Sequence, residues 1–155
     1  MANRVNDAIK QNLQARAVRY LAKREYSRLE LAKKLADHAP APETLSEVLD
    51  ALEQRGWLSA ERVVEQVLHG RRNKFGSLRI RHELKEKGIA EHLIDAAMSN
   101  LKETELQAAR EVWRKKFGVI PENLKERSKQ ARFLAGRGFS SGVIRQVLAC
   151  SDDEI

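Results

Sequence analysis

The pattern Tyr26-Ser27-x-Leu29-x-Leu31-x-x-x-Leu35 returns as Phe75-Gly76-x-Leu78-x-Ile80-x-x-x-Leu84, and this repetition constrains the fold more than any other feature of the chain. Leucine appears again at Leu134, so three anchor leucines stand about fifty residues apart, the period of tandem three-helix units. The third copy is degenerate, with Ser128 and Gln130 where the first two copies are apolar. A second device also occurs three times: Leu52-x-x-Arg55-Gly56-Trp57, Leu84-x-x-Lys87-Gly88-Ile89 and Leu134-x-x-Arg137-Gly138-Phe139. Each reads as a buried leucine, a cation beside the last carbonyls, a glycine that stops the helix, and an apolar residue folding back onto the final turn. The two registers differ in the first copy, where the glycine signal closes the third helix rather than the second. The longer register, spanning more positions, sets the architecture.

Apolar residues recur at spacings of three and four, and alternating β-branched runs are missing, so the expected class is all-α. Nine short helices follow: 8–22, 27–36, 42–55, 60–72, 77–87, 90–101, 103–117, 122–135 and 141–149. They group into three tandem three-helix repeats, 1–58, 59–101 and 102–150, followed by an acidic tail at 151–155. The expected whole is an elongated, curved monomer. Trp57, Trp113, Phe117, Phe133 and Phe139 are expected in the core rather than as platforms for stacking bases.

The residues offer little for catalysis. His38, His69, His82 and His92 form no metal-binding pair on one helix face, and a single cysteine, Cys150, has no histidine near it in sequence to act as a base. Phosphate-binding glycine loops and the nucleophile elbow are absent from the sequence. The reading is therefore not an enzyme, with no catalytic residues, no metal and no cofactor. No apolar run approaches the length of a membrane span, and the opening seven residues lack a hydrophobic signal core, which leads to an expected cytoplasmic location and no membrane partner.

Charge carries more. The chain has 29 Lys and Arg against 22 Asp and Glu, a net charge of +7, which favours a polyanionic partner. The excess is concentrated. Between residues 69 and 87 stand Arg71, Arg72, Lys74, Arg79, Arg81, Lys85 and Lys87 against Glu83 and Glu86. Between 110 and 137 stand Arg110, Arg114, Lys115, Lys116, Lys125, Arg127, Lys129, Arg132 and Arg137 against Glu111, Glu122 and Glu126. On a helix Lys125, Lys129 and Arg132 share one face, as do Arg81 with Lys85 and Arg110 with Arg114. The residues chosen as a filament- or nucleic-acid-binding surface are Arg71, Arg72, Lys74, Arg79, Arg81, Lys85, Arg110, Arg114, Lys115, Lys125, Lys129 and Arg132. The competing reading makes these charges ordinary solvated faces, with Arg79–Glu83 and Glu111–Lys115 as weak i,i+4 pairs.

Three blocks resemble the RecX family of regulatory proteins. They are Arg24-x-x-Ser27-x-x-Glu30-Leu31-x-x-Lys34-Leu35, then Leu49-x-x-Leu52-x-x-x-Gly56-Trp57-Leu58-x-x-x-Arg62, then Arg71-Arg72-x-x-x-Gly76-x-x-x-Ile80-x-x-Glu83-Leu84-x-x-x-Gly88-Ile89. A fourth, Lys129-x-x-x-Phe133-Leu134-x-x-x-Gly138-Phe139, extends the likeness to about residue 148. Ser59-Ala60 and Val63 depart from it, standing where the family has an acidic pair and an aromatic. The resemblance implies a curved array of three-helix repeats that lodges in the groove of the RecA recombinase filament and curbs filament extension, ATP hydrolysis and strand exchange. Single- or double-stranded DNA would then be met weakly or through the filament. The alternative class is a helical protein that grips DNA directly through phosphate contacts, although no recognition helix with side chains placed for base edges is present.

Overall fold

The structure is a computed structural model and describes residues 2–149; Cys150 and the expected acidic tail lie outside the described residues. The elements are α1 (Ala2–Leu21), α2 (Arg28–Leu35), a short 3₁₀ turn (Ala36–His38), α3 (Pro42–Gln54), α4 (Ala60–Arg71), α5 (Ser77–Glu86), α6 (Glu91–Lys102), α7 (Glu105–Lys116), α8 (Leu124–Gly136) and α9 (Ser141–Ala149). All are helical, as the spacing of apolar residues predicts. The main difference is α1, which begins six residues earlier than its apolar periodicity indicates, through the polar stretch Ala2–Asp7.

Two compact units emerge from the contacts: Met1–Val64 with Lys87–Ile89, and Glu65–Glu86 with Ala90–Ile155. In the first, α1, α2 and α3 pack on one another around Leu13, Ala17, Leu31, Leu35, Val48, Leu49, Leu52 and Leu58. In the second, α5 packs on α6, α6 meets α7, and α7, α8 and α9 enclose Ala108, Ala109, Leu134, Phe139, Ile144, Val147 and Leu148. The anchor leucines Leu35, Leu84 and Leu134 are each 0% exposed, so the fifty-residue register marks the buried face of α2, α5 and α8.

The departures have physical reasons. Trp57 is 44% exposed, against expectation. After Gly56 the chain folds back one residue later than expected. Both the Trp57 and the Leu58 N–H donate to the Leu52 carbonyl, and Leu58 fills the core while the indole lies against the Arg55 guanidinium. Gln130, aligned with Leu31 and Ile80, is buried with its polar atoms satisfied: its Oε1 accepts from Trp113 Nε1 at 2.8 Å and its Nε2 donates to the Val119 carbonyl at 3.0 Å. A buried amide with both ends paired costs little, so the third copy keeps its core position with a different chemistry. At α4, Ser59 Oγ accepts from the Arg62 N–H, an N-cap that does the work of an acidic residue, and Val63 is buried.

No helix of the described residues is long and apolar enough to cross a membrane.

Candidate functional site

The first turn of α2 is built by Ser27, whose Oγ accepts from the Glu30 N–H while the Glu30 carboxylate accepts from the Ser27 N–H. This capping box aims Glu30 at two cations, Arg24 at 3.2 Å and Lys87 at 3.1 Å, and Arg24 in turn lies over the Tyr26 ring at 3.7 Å. Burial pushes the Glu30 carboxyl up, but the Ser27 N–H, Lys87 and Arg24 outweigh it and hold the group below its ordinary value of 4.5. A carboxyl depressed on folding stabilises the fold above its unfolded value and ceases to do so as pH falls through its folded one. Stability should therefore decline as pH drops below about 4.5, and Glu30→Gln should flatten that decline while lowering stability near neutrality by about 1–2 kcal/mol. Denaturant titrations at several pH values measure both.

Gly76 stands in α5 where Ser27 stands in α2, and the capping is done from elsewhere in the second unit. The Gly76 N–H donates to the Arg137 carbonyl at 2.8 Å and the Leu78 N–H to the Gly138 carbonyl at 3.0 Å. Ser77 gives both its N–H and its hydroxyl to Glu105 Oε1, at 3.1 and 2.9 Å. Glu105, a buried carboxylate that sequence reading missed, is thereby the cap of a helix far from it in sequence. At the start of α5 the N–H groups of Gly76, Ser77 and Leu78 are thus occupied internally, which leaves little of this helix end to hold an anion.

The cations chosen from the sequence divide in two. Arg71 pairs with Glu83 at 3.4 Å, Arg72 donates to Asn100 Oδ1 at 2.9 Å, and Arg114 pairs with Glu111 at 2.7 Å. Arg81 lies 3.8 and 3.9 Å from Glu91 and Asp95, and Lys85 lies 3.7 Å from Glu91. The expected Arg79–Glu83 and Glu111–Lys115 pairs are replaced: Glu83 takes Arg71 from α4, and Glu111 takes Arg114 one position closer. Lys74, Arg79, Lys115, Lys125, Lys129 and Arg132 are exposed and have no carboxylate partner among the described residues. Arg110 is half-buried on α7. In the first unit, by contrast, Lys10 meets Glu47, Arg28 meets Asp50 and Glu53, Arg62 meets Glu25, and Lys87 meets Glu30. Arg4, Arg19, Lys23, Lys33, Lys34 and Arg55 of the first unit are nevertheless exposed without a carboxylate partner among the described residues, so unneutralised cations occur in both units.

Aromatic rings organise the remaining positive charge. The Phe75 ring carries Arg79 at 4.1 Å, Arg137 at 5.3 Å and Arg71 at 5.8 Å, and the Phe133 ring carries Arg137 and Lys116, each at 5.4 Å. Arg137 and Lys116 were not among the residues singled out for binding. The signal that could have found Arg137 is the cation of the glycine stop, read only as a helix-end device, while Lys116 stands in the run of positive charge between 110 and 137. Among the described residues no group of three or more His, Cys, Asp or Glu could hold a metal ion.

Comparison with known proteins is consistent along the chain. A family model for the second three-helix domain of RecX matches residues 61–98, and one for the third matches residues 103–148. The chain is 50% identical over 143 residues to the regulatory protein RecX of Leptothrix cholodnii, covering 92% of this chain and 91% of that protein. It is 39% identical over 142 residues to that of Ralstonia pickettii, covering 92% and 89%. Among solved structures, RecX from Lactobacillus salivarius aligns with a TM-score of 0.82 at 17% identity, over 94% of this chain and 98% of that one. A second crystal structure of a regulatory protein RecX aligns at 0.80 and 22% identity, over 94% and 76%.

Proposed function

This chain belongs to the RecX family of regulatory proteins, and from that premise we propose that it binds the RecA recombinase on DNA, within the groove of the nucleoprotein filament, and inhibits filament extension, ATP hydrolysis and strand exchange. It does so in the cytoplasm, as a monomer and without chemistry of its own. The family is one of regulators, not of enzymes. The repeats that carry the binding are taken as 1–58, 59–101 and 102–150.

The observation that carries this reading is the set of exposed cations lacking internal carboxylates, Lys74, Arg79, Lys115, Lys125, Lys129 and Arg132, in the second unit of a chain similar to RecX proteins over nearly its whole length. A nucleoprotein filament presents phosphates and acidic protein side chains together, and unneutralised cations can meet either. Exposed charges contribute little to folding, so they can be reversed without unfolding the protein.

Lys129→Glu with Arg132→Glu should weaken binding to preformed filament by about tenfold or more, equivalent to at least about 1.4 kcal/mol, and relieve inhibition of ATP hydrolysis to match. Thermal stability should stay within about 0.5 kcal/mol of the parent. The same reversal at Arg16 and Arg19 of α1 is the control. Equal losses from the two pairs would remove the functional meaning of the asymmetry.

A further inference from the structure

In each unit the first turn of one helix meets the glycine stop of another, and the charges at the two junctions differ. In the first unit Leu29 and Glu30 meet Lys87 and Gly88: a Cβ on Gly88 would lie 3.0 Å from Leu29 Cβ, and Lys87 Nζ reaches Glu30 at 3.1 Å. In the second unit Leu78 and Arg79 meet Arg137 and Gly138: a Cβ on Gly138 would lie 2.4 Å from Arg79 Cβ. The fifty-residue register aligns Glu30 with Arg79 and Lys87 with Arg137. A carboxylate–ammonium pair in one junction is therefore two guanidiniums in the other.

Those two guanidiniums share the Phe75 ring and have no carboxylate partner among the described residues. Arg137 Nη1 donates to the Lys74 carbonyl at 3.4 Å and extends over Phe133. Beside it opens a hollow of about 510 Å³ lined by Lys74, Lys115, Lys116, Phe133 and Arg137, together with Asn73, Val112 and Glu111. Its one carboxylate, Glu111, is already held by Arg114 at 2.7 Å. Lys115 and Lys116 suit the negative end of α7. That accounts for cations on the last turn of α7, but not for their meeting Lys74 from the loop after α4 and Arg137 from the end of α8.

We propose that Lys74, Arg79, Lys115, Lys116 and Arg137 form a seat for the phosphodiester backbone of a nucleic-acid strand. It rests on the function proposed above, and names where in the second unit the DNA of the filament is held. A lone carboxylate would leave most of these donors unmatched, whereas a nucleic-acid strand repeats its charge about every 3.4 Å of duplex rise. A guanidinium is a planar fork of N–H donors that fits two phosphate oxygens. An acidic protein segment is the rival occupant and is decided by the same experiment.

The test uses the full chain, a fluorescently labelled oligothymidylate and no recombinase, with anisotropy measured across a sodium chloride series and circular dichroism checking that each variant is folded. Lys115→Gln with Lys116→Gln should weaken binding about tenfold and flatten the slope of log affinity against log salt by about one unit or more. Arg79→Gln should act in the same direction. Arg81→Gln with Lys85→Gln, whose charges face Glu91 and Asp95, should change the slope little. A parent that does not bind the oligonucleotide, or a seat variant with the parental slope, overturns the proposal. So does a parent that prefers polyglutamate and loses that preference in the seat variants. Inhibition of the recombinase is scored separately: seat variants that bind the oligonucleotide normally but still inhibit defeat the seat alone, and a parent that binds the oligonucleotide but fails to inhibit defeats only the filament reading.

Discussion

Gly138→Ala should destabilise the second unit by about 2–5 kcal/mol. Two terms combine. Gly138 has φ +89°, where an L side chain costs about 1–2 kcal/mol. Its Cβ would also lie 2.4 Å from Arg79 Cβ, 2.7 Å from Arg79 N and 3.0 Å from Arg79 Cα. Two of those three atoms are backbone, and the third is fixed to it, so no side-chain rotation relieves the clash, and overpacking adds about 1–3 kcal/mol. Two other glycines separate the terms. Gly56 has φ +75° with nothing within 4 Å of the added carbon, so Gly56→Ala should show the dihedral cost alone. Gly88, at φ +76°, would meet Leu29 Cβ and the movable Leu29 Cδ2 at 3.0 Å each, a looser contact than that of Gly138, and Gly88→Ala should fall between the two. Trp57 belongs to the first unit and Trp113 to the second, so unfolding followed by fluorescence in a Trp57→Phe background reads the second unit directly. A cost for Gly138→Ala, read through Trp113, no larger than that for Gly56→Ala, read through Trp57 in a Trp113→Phe background, would mean the junction yields more than its geometry indicates.

The same glycine ties stability to the site. The carbonyls of Arg137 and Gly138 accept from Gly76 and Leu78, so the turn after α8 caps α5 and holds Arg79 and Arg137 over one ring. A displaced junction would separate those guanidiniums even where the helices survive. Gly138→Ala should accordingly reduce oligonucleotide binding beyond what its unfolded fraction accounts for.

What the sequence reveals follows the reach of each interaction. Helix identities and most ends are set by neighbours within four residues, and the spacing of Leu31, Leu35, Ile80, Leu84 and Leu134 therefore reports the buried faces directly. The Phe139 N–H to Leu134 and Gly138 N–H to Ala135 bonds of the helix stop are equally local. Trp57 was misread because a fold-back delayed by one residue leaves no mark in composition. Glu105 and Gln130 were missed for a different reason: their partners Ser77, Trp113 and Val119 lie between 11 and 28 residues away, beyond any helical periodicity. The candidate surface was legible as a density of positive charge, but its division into neutralised and unneutralised cations depends on tertiary contacts such as Arg71 to Glu83.

Leu84→Ala should cost about 2–5 kcal/mol, and the reason lies in how little else holds α5 down. That helix is ten residues long, and its sequence Ser-Leu-Arg-Ile-Arg-His-Glu-Leu-Lys-Glu buries only Ile80 and Leu84. The charged remainder contributes through exposed pairs such as Arg81–Glu91 and His82–Glu86, each worth tenths of a kcal/mol. Leu84 is 0% exposed, so its truncation removes the transfer energy of the side chain and leaves a cavity, in a helix with a single other anchor. Leu78, on the same helix and 57% exposed, is the control, and Leu78→Ala should stay within about 0.5 kcal/mol of the parent. Amide exchange should locate the loss, with α5 losing protection in Leu84→Ala before α1, α2 and α3 do. Because Arg79 rides on α5, local opening should also weaken oligonucleotide binding while Leu78→Ala leaves it intact. A cost for Leu84→Ala no larger than that of Leu78→Ala would show that α5 is held by contacts other than its buried face.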